Sequence, residues 1–568
     1  MKYTGARILI ESLIEQGVDT VFGYPGAAVL HIYDELYRQR DRIRHILVSH
    51  EQHAAHAADG YARSSGRVGV CLATSGPGAT NLVTGIAAAA IDSVPIVAIT
   101  GNVSVPLLGK DSFQEVDITG ITMPIVKHNW IVKDIGDLAE VIREAFAVAK
   151  AGRPGPVLID IPKDISSGKI DAPTPPESLP VCGHRAVRRI QAAFTADDIE
   201  KAAAMLAGAK RPVFFAGGGV IHSGAAPELK KLAELVNAPV AMSLLGMGAF
   251  PYDHRLCTGL IGMHGTAASN RAVQMADLLF AAGARFSDRV TSQVEKFAKN
   301  AKILHIDIDP AEINKNIEAD AFITGDLSQI LPLILKKIPP KTASEWDGDI
   351  DRLKAESQAK FDRDHHRRNS LHPRYVIQEA AKALGGNTIA VTDVGQHQIW
   401  TAQYFPFSRP RSMISSGGLG AMGFGMGAAI GAKTANPGCP VVLFTGDGCF
   451  RMNCAEMATM VRYNYPVLII IFNNRVLGMV RQWQGFFYGG RYSETGLEDR
   501  GPDFIKLADA YGVAAFRAAN EAAFSSALEK SLAVLASGKP ALIETVIDKD
   551  ERVLPMVPGG KPIDEQIM

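Results

Sequence analysis

The sequence predicts an α/β protein built from three doubly wound domains with mainly parallel sheets. Short apolar runs of strand length recur along all 568 residues and alternate with stretches of helical periodicity. These runs are apolar on both faces, as strands covered by helices on both sides must be. Two polar, irregular segments divide the chain into three blocks of ordinary domain size.

In the first block, VGVCLAT (68–74), VPIVAITG (94–101) and PVLIDIP (156–162) read as strands, separated by Ala-rich helical stretches such as HAAHAADGYARSS and TNLVTGIAAAAID. The middle block offers RPVFFAGGG, PVAMSL, LLFAAGAR and ILHIDID. The last offers TIAVTD, PVVLFTGD, PVLIIIFNN and ALIETVID. Residues 166–190, rich in Pro and Ser, and residues 338–372, strongly charged, read as connections, the second containing a solvated helix. The expected organisation is therefore domain 1–165, linker 166–190, domain 191–337, linker 338–372, domain 373–550 and tail 551–568.

Lys plus Arg and Asp plus Glu each number 59, so the net charge is zero, which argues against a general attraction to nucleic acid or anionic membranes. A local basic pocket for phosphate-bearing molecules remains allowed. The six cysteines form no CxxC pair, and reduced thiols in a cytoplasmic protein are the expectation. The N-terminus lacks a signal-peptide pattern, and no apolar run is long enough to span a bilayer.

The most informative motif is in the last block. The strand PVVLFT ends in Gly446-Asp447-Gly448, and the strand PVLIIIF delivers Asn473-Asn474 to the same carboxyl edge, where open α/β sheets bind ligands. A carboxylate and a carboxamide oxygen are hard ligands, suited to Mg²⁺ that takes its remaining oxygens from phosphate. Taken singly, Asp447 is a helix cap and the Asn pair a turn. Together at this spacing they resemble the signature of thiamine-diphosphate enzymes. Such an enzyme needs a carboxylate on the cofactor's aminopyrimidine, and the candidate is Glu51 in ILVSHEQHAAHAADGYAR, followed by the tight turn Thr74-Ser75-Gly76-Pro77-Gly78. A zinc HExxH reading fails because residue 54 is Ala.

A more specific resemblance covers nearly the whole chain. FGYPG, TSGPGATNLVTGIA, DSFQEVDITGIT, GRPGPVLIDIPKD, GARFSDRV, HIDIDPAEI, DVGQHQIW, SSGGLGAMGFG and NNRVLGMVRQWQ are similar to the large catalytic subunits of the acetohydroxyacid (acetolactate) synthase family. The resemblance implies decarboxylation of pyruvate and condensation of the hydroxyethyl unit with pyruvate or 2-oxobutyrate, giving 2-acetolactate or 2-aceto-2-hydroxybutyrate, in branched-chain amino-acid biosynthesis. It implies that Glu51 activates the cofactor. Val394, Gly395, Gln396, His397, Gly446, Gly448 and Cys449 would hold the diphosphate. Asp447, Asn474 and the Val476 carbonyl would ligate Mg²⁺, and Gly420, Met422 and Met452 would place the aminopyrimidine. Phe113, Gln114, Lys163, Met263, Arg289 and Trp483 would line the substrate channel, with Arg289 on the acceptor carboxylate and Trp483 against its ethyl group.

The middle block resembles the family's FAD-binding domain, with Arg153, His264, Gly283, Arg285, Asp307 and Asp326 in its binding segments and the flavin structural rather than redox-active. The resemblance also implies a homodimer or homotetramer with sites at the subunit interface, and a small regulatory subunit. Ala27, His31, Ser49, Ser287 and Cys449 depart from the usual pattern, where glycine, proline, arginine, aspartate and serine or alanine respectively are common. Two rival chemistries are another thiamine-dependent 2-oxoacid decarboxylase or carboligase, and a nicotinamide dehydrogenase suggested by Gly418-x-Gly420-x-x-Gly423. The second conflicts with the metal-type loop that ends the next strand. A non-catalytic paralogue would have lost Glu51, Asp447 or Asn474, and all three are present.

Overall fold

The doubly apolar strands form three six-stranded sheets, all parallel. The computed structural model describes residues 2–171, 194–341, 345–365, 371–497 and 501–568. Most of the segment read as the first linker lies outside them. Within it, Lys169–Asp171 pair antiparallel with Lys2–Thr4 at the rim of the N-terminal domain.

In each sheet the chain begins at an inner strand, steps outward on one side, then returns to build the other. The N-terminal order is Arg44–Leu47, Thr20–Gly23, Gly69–Ala73, Ile96–Asn102, Val157–Pro162, His128–Ile131. The middle order is Cys257–Leu260, Val240–Met242, Pro212–Ala216, Leu278–Ala282, Lys302–Asp307, Ala321–Thr324. The C-terminal order is Met413–Ile414, Ile389–Thr392, Val441–Gly446, Val467–Asn473, Ala541–Val546, Ala514–Ala518. The reversal falls between Thr20–Gly23 and Gly69–Ala73, between Pro212–Ala216 and Leu278–Ala282, and between Ile389–Thr392 and Val441–Gly446. Loops leaving two adjacent strands in opposite directions open a crevice at their carboxyl ends. The three crevices are edged by the TSGPG turn, by Gly217-Gly218-Gly219, and by Val394-Gly395 with Gly446-Asp447-Gly448.

The N- and C-terminal domains share one apolar core. It closes where the helix Glu51–Ser65 crosses the helix Gly425–Ala435 at backbone contact. A Cβ added at Gly60 would stand 2.2 Å from the Ala428 carbonyl oxygen, and one at Gly431 would stand 1.9 Å from that of Ala57. Only glycine permits this approach, and the flanking alanines keep the rest of the seam thin. The crossing rigidly couples the helix opened by Glu51 to the helix that follows Gly420 and Met422.

The charged stretch expected to hold a solvated helix does contain one, Glu345–His365. One stripe of it is not solvated: Trp346, Ile350 and Leu353 are buried in the core of the middle domain, and the Trp346 indole donates to the Pro212 carbonyl. That i, i+4, i+7 spacing was hidden in sequence by the charges on the other face. The tail returns over the middle domain, where the Met263 carbonyl accepts from the Val557 amide and Asn270 Nδ2 donates to the Ile563 carbonyl. No helix among the described residues is long and apolar enough to cross a membrane.

The crossing makes a stability prediction. Gly431→Val forces a side chain into the Ala57 backbone and should cost about 3 kcal/mol or more, read as a lower urea midpoint. Gly438→Ala, where no atom lies within 4 Å of the added Cβ, should leave the midpoint unchanged. Equal midpoints for both variants would contradict the packing described.

Candidate active site

At the C-terminal crevice, Asp447 opens the helix Asp447–Asn453 directly after its strand. It is 2% exposed, and among the described residues one of its carboxylate oxygens has no hydrogen-bond partner. Burial pushes its carboxyl up to about 6, against the opposing charge of Arg451. A buried, incompletely paired carboxylate costs free energy unless something cationic satisfies it. Asn474 is buried beside the same cavity; its Oδ1 accepts from the Val476 amide at 3.3 Å, and its Nδ2 donates to Gln396 Oε1 at 3.2 Å.

The cavity, about 90 Å³, is lined by Val394, Gly395, Gln396, His397, Met422, Gly446, Asp447, Gly448, Cys449, Asn474 and Val476 among others. Burial drives the His397 imidazole down to about 3, so it is neutral, and its Nε2 has no partner among the described residues. Cys449 remains a thiol, because burial raises its pKa and its Sγ donates to the Val394 carbonyl at 3.0 Å. Gly420 adopts φ +67°, and Met452 stands 56% exposed. No three His, Cys, Asp or Glu side chains gather as a ready-made metal cage among the described residues.

At the N-terminal crevice, Glu51 is the first residue of its helix, and its Oε2 accepts from Asn81 Nδ2 at 3.0 Å. The TSGPG turn packs directly on it: a Cβ at Gly78 would lie 3.2 Å from Glu51 Oε1. Gln114, at φ +58°, presses its carbonyl on Gly76 of the same turn. Ala27 begins the one-turn helix Ala27–Val29 beside it, where the Ala28 amide donates to Thr74. Phe113 is 87% exposed and Lys163 is exposed at the start of the helix Lys163–Ser167. Within one chain this group does not reach the Asp447 cavity, whose lining residues run from 394 to 480.

A second cavity of about 850 Å³ opens at the middle-domain crevice. It is lined by Arg153, Met263, His264, Gly283, Arg285, Arg289, Asp307 and Asp326, and it extends to Val394 and Gly395. Its floor is glycine on glycine, since a Cβ at Gly217 would stand 2.0 Å from the Gly283 carbonyl oxygen. Arg153 bridges Asp309 and Glu312, and Arg285 donates to the Ile91 carbonyl at 2.6 Å. Burial drives His264 down to about 4 and Asp307 up to about 6. Ser287 precedes the short helix Asp288–Thr291 that carries Arg289, where its carbonyl accepts from the Val290 amide. Trp483 lies against Phe487, ring centroids 5.3 Å apart.

Sequence reasoning missed the residues that hold these loops. Asp393 is fully buried; it accepts from the Gly423 and Phe424 amides and from Asn453 Nδ2, fixing the loop that contains Met422. Asp92 accepts from the Gly417 and Gly418 amides and pairs with Arg63. Gln396, read as a diphosphate ligand, spends its amide nitrogen on Gln482 and the Glu551 carbonyl. In sequence, Asp393 and Asp92 read as ordinary strand-end or helix-end polar residues.

Comparison with known proteins agrees with this layout. Residues 3–121 match the model of the thiamine pyrophosphate enzyme N-terminal TPP binding domain, 199–334 its central domain, and 393–545 its C-terminal TPP binding domain. The chain is 48% identical to the "Probable acetolactate synthase large subunit" of Methanocaldococcus jannaschii, over 98% of this chain and 94% of that one. It is 46% identical to the acetolactate synthase large subunit of Corynebacterium glutamicum, over 98% and 89%. It is 43% identical to the acetolactate synthase isozyme 3 large subunit of Escherichia coli, over 99% and 98%.

Asp447→Ala removes the unpaired carboxylate from the cavity. Loss of outer-shell partners alone weakens metal sites by about 10–100-fold, so affinity for thiamine diphosphate in the presence of Mg²⁺ should fall by about 100-fold or more. Tryptophan fluorescence titration reads it, and an unchanged affinity would contradict the placement.

Proposed function

The chain belongs to the thiamine pyrophosphate enzymes, in the family of acetolactate synthase large subunits, and on that premise we propose that it condenses two 2-oxoacids. Pyruvate loses CO₂, and the remaining hydroxyethyl unit joins a second pyruvate or 2-oxobutyrate, giving 2-acetolactate or 2-aceto-2-hydroxybutyrate. The observation that carries the reading is the unpartnered, buried Asp447 oxygen in a cavity with Asn474, at the switch point of a C-terminal sheet.

The residues fit the cofactor. Asp447, Asn474 and the Val476 carbonyl would ligate Mg²⁺, which takes few protein oxygens and completes its octahedron with phosphate and water. The unpartnered nitrogen of a neutral His397 and the small residues Gly395, Gly446 and Gly448 leave room for the diphosphate. When bound, thiamine diphosphate supplies a nucleophilic carbon and an electron sink for decarboxylation. The protein's part is to place groups around it. Glu51 would hold a proton between its carboxylate and the aminopyrimidine, oriented by Asn81 and shielded by the TSGPG turn. Arg289 would receive the acceptor's carboxylate, with its guanidinium suited to a two-pronged bond. Gln114 and Lys163 would orient the reacting carbonyls, while Phe113, Met263 and Trp483 would exclude water and sort acceptors by size.

The 850 Å³ cavity has the size and mixed lining of a dinucleotide site. We assign it to a structural FAD, because the condensation involves no net redox change. Glu51 and Asp447 sit in separate crevices of one chain, so a complete centre would draw Glu51 from one subunit and Asp447 from another, in a homodimer or homotetramer. A small regulatory subunit and a cytoplasmic setting complete the proposal, and the relatives' designation as large subunits supports the former.

Purified protein with pyruvate, Mg²⁺, thiamine diphosphate and FAD should form acetolactate. Glu51→Gln should be slower by about 100-fold or more, the usual worth of a proton-transfer group. Omitting FAD should lower the rate, and the absorbance of bound flavin should stay oxidised during turnover. Absence of acetolactate, with Glu51→Gln indistinguishable from the parent, would overturn the assignment.

A further inference from the structure

The geometry points to Glu456 as a positioning residue: its buried carboxylate, from the C-terminal domain, holds the turn that presents Glu51. Glu456 has no solvent exposure. Its Oε1 accepts three hydrogen bonds from the N-terminal domain: from the Ser49 amide at 2.9 Å, the His50 amide at 3.2 Å and His53 Nδ1 at 2.8 Å. Its Oε2 accepts from Thr459 Oγ1 at 2.6 Å, which orients the carboxylate from its own side.

These donors bracket Glu51. Ser49 and His50 precede it, and His53 lies one position beyond Gln52, whose amide donates to the capping imidazole of His50. The same segment is stitched further to the C-terminal domain. Ser49 Oγ donates to the Ala455 carbonyl at 3.0 Å, and Tyr463 Oη accepts from the Leu47 amide at 2.9 Å. Backbone amides at a helix start lack intrahelical acceptors. Here a carboxylate from another domain accepts from two amides just ahead of the first turn, and charge-assisted bonds of this kind are about twice as strong as neutral ones. Among the described residues, only the Asn81 contact orients the Glu51 carboxylate itself. The Glu456 contact therefore sets where the backbone of Glu51 stands, and Asn81 sets which way its side chain turns.

Misplacing a reacting group by 1 Å costs about 100-fold in rate, so loss of the tether should act on proton transfer before it acts on binding. The segment from Asp447 to Glu456 is also continuous, running through the helix Asp447–Asn453 and the turn Cys454–Glu456. The stretch that begins with the proposed metal ligand thus ends by fixing a proposed proton acceptor.

This inference rests on Glu51 being the cofactor-activating carboxylate, and the test separates the two. In the holoenzyme with thiamine diphosphate, Mg²⁺ and FAD, exchange of the cofactor's C2 proton for deuterium is followed by acid quench and proton NMR. Cofactor affinity is measured by tryptophan fluorescence, and amide exchange of residues 45–54 by mass spectrometry on the cofactor-free protein. Glu456→Ala should slow C2 exchange by about 10–100-fold, with cofactor affinity and pyruvate KM near the parent's and protection lost around Ser49 and His50. Glu456→Gln, which keeps an acceptor oxygen, should recover the rate to within about threefold. Should Glu456→Ala not fold, Glu456→Asp retracts the carboxylate by one methylene and should slow exchange by about tenfold. Parental C2 exchange in Glu456→Ala or Glu456→Asp would overturn the proposal. Parental exchange in a Glu51→Gln control would instead remove the premise, and the proposal with it.

Discussion

The helices Glu51–Ser65 and Gly425–Ala435 touch at their backbones, and much of the functional architecture depends on that contact. Gly60 and Gly431 leave no room for even a methyl group. The contact locks the N-terminal domain to the C-terminal one through a shared core rather than through a mobile linker. One helix begins with Glu51, and the other follows the loop of Gly420 and Met422 held by Asp393. Interfaces this close do not deform gradually. The two crevices are therefore fixed relative to each other in each chain, and in the proposed shared centre bringing Glu51 to an Asp447 cavity would be a matter of how chains assemble.

A single topological device is used three times. In each sheet the strand order reverses beside the loops carrying the chemistry, so ligand crevices arise from chain connectivity before any particular side chain is considered. What differs is the lining. The C-terminal crevice offers a buried, under-satisfied carboxylate and a neutral histidine. The N-terminal one offers a carboxylate held by Asn81, and the middle one a long cavity floored by glycine and edged by arginines. In the proposed reading, a metal, a proton acceptor and an anionic dinucleotide would thereby be distributed over three copies of one architecture.

Much of this was legible in the sequence, for physical reasons. Inner strands such as PVVLFT and PVLIIIF are apolar on both faces, and a buried parallel sheet leaves no other option. Several edge strands were not legible: His128–Ile131, Ala321–Thr324, Met413–Ile414 and Ala514–Ala518 each lie at an edge of their sheet. Most are partly exposed and lose the apolar signature. The buried stripe Trp346, Ile350, Leu353 was masked by charges around it. Asp447, Asn474 and Glu51 could be picked out because a motif joined them to a chemistry. Asp393, Asp92 and Glu456 could not, since each works by accepting backbone amides from segments remote in sequence, and nothing local distinguishes such a carboxylate from a cap. The exposure of Phe113 also follows from reading one chain where the site is proposed to need two.

Whether two chains build each centre is decided by complementation. Chains carrying Glu51→Gln are co-expressed with chains carrying Asp447→Ala, each with its own tag, and the hybrid is purified through both tags and assayed for acetolactate. If every centre takes Glu51 from one subunit and Asp447 from its neighbour, a two-fold hybrid holds one doubly altered and one intact centre and should work at about half the parental rate, although each variant alone is nearly inactive. If each centre lies within one chain, every centre in the hybrid carries one lesion, and a hybrid as inactive as its parents would contradict the shared site.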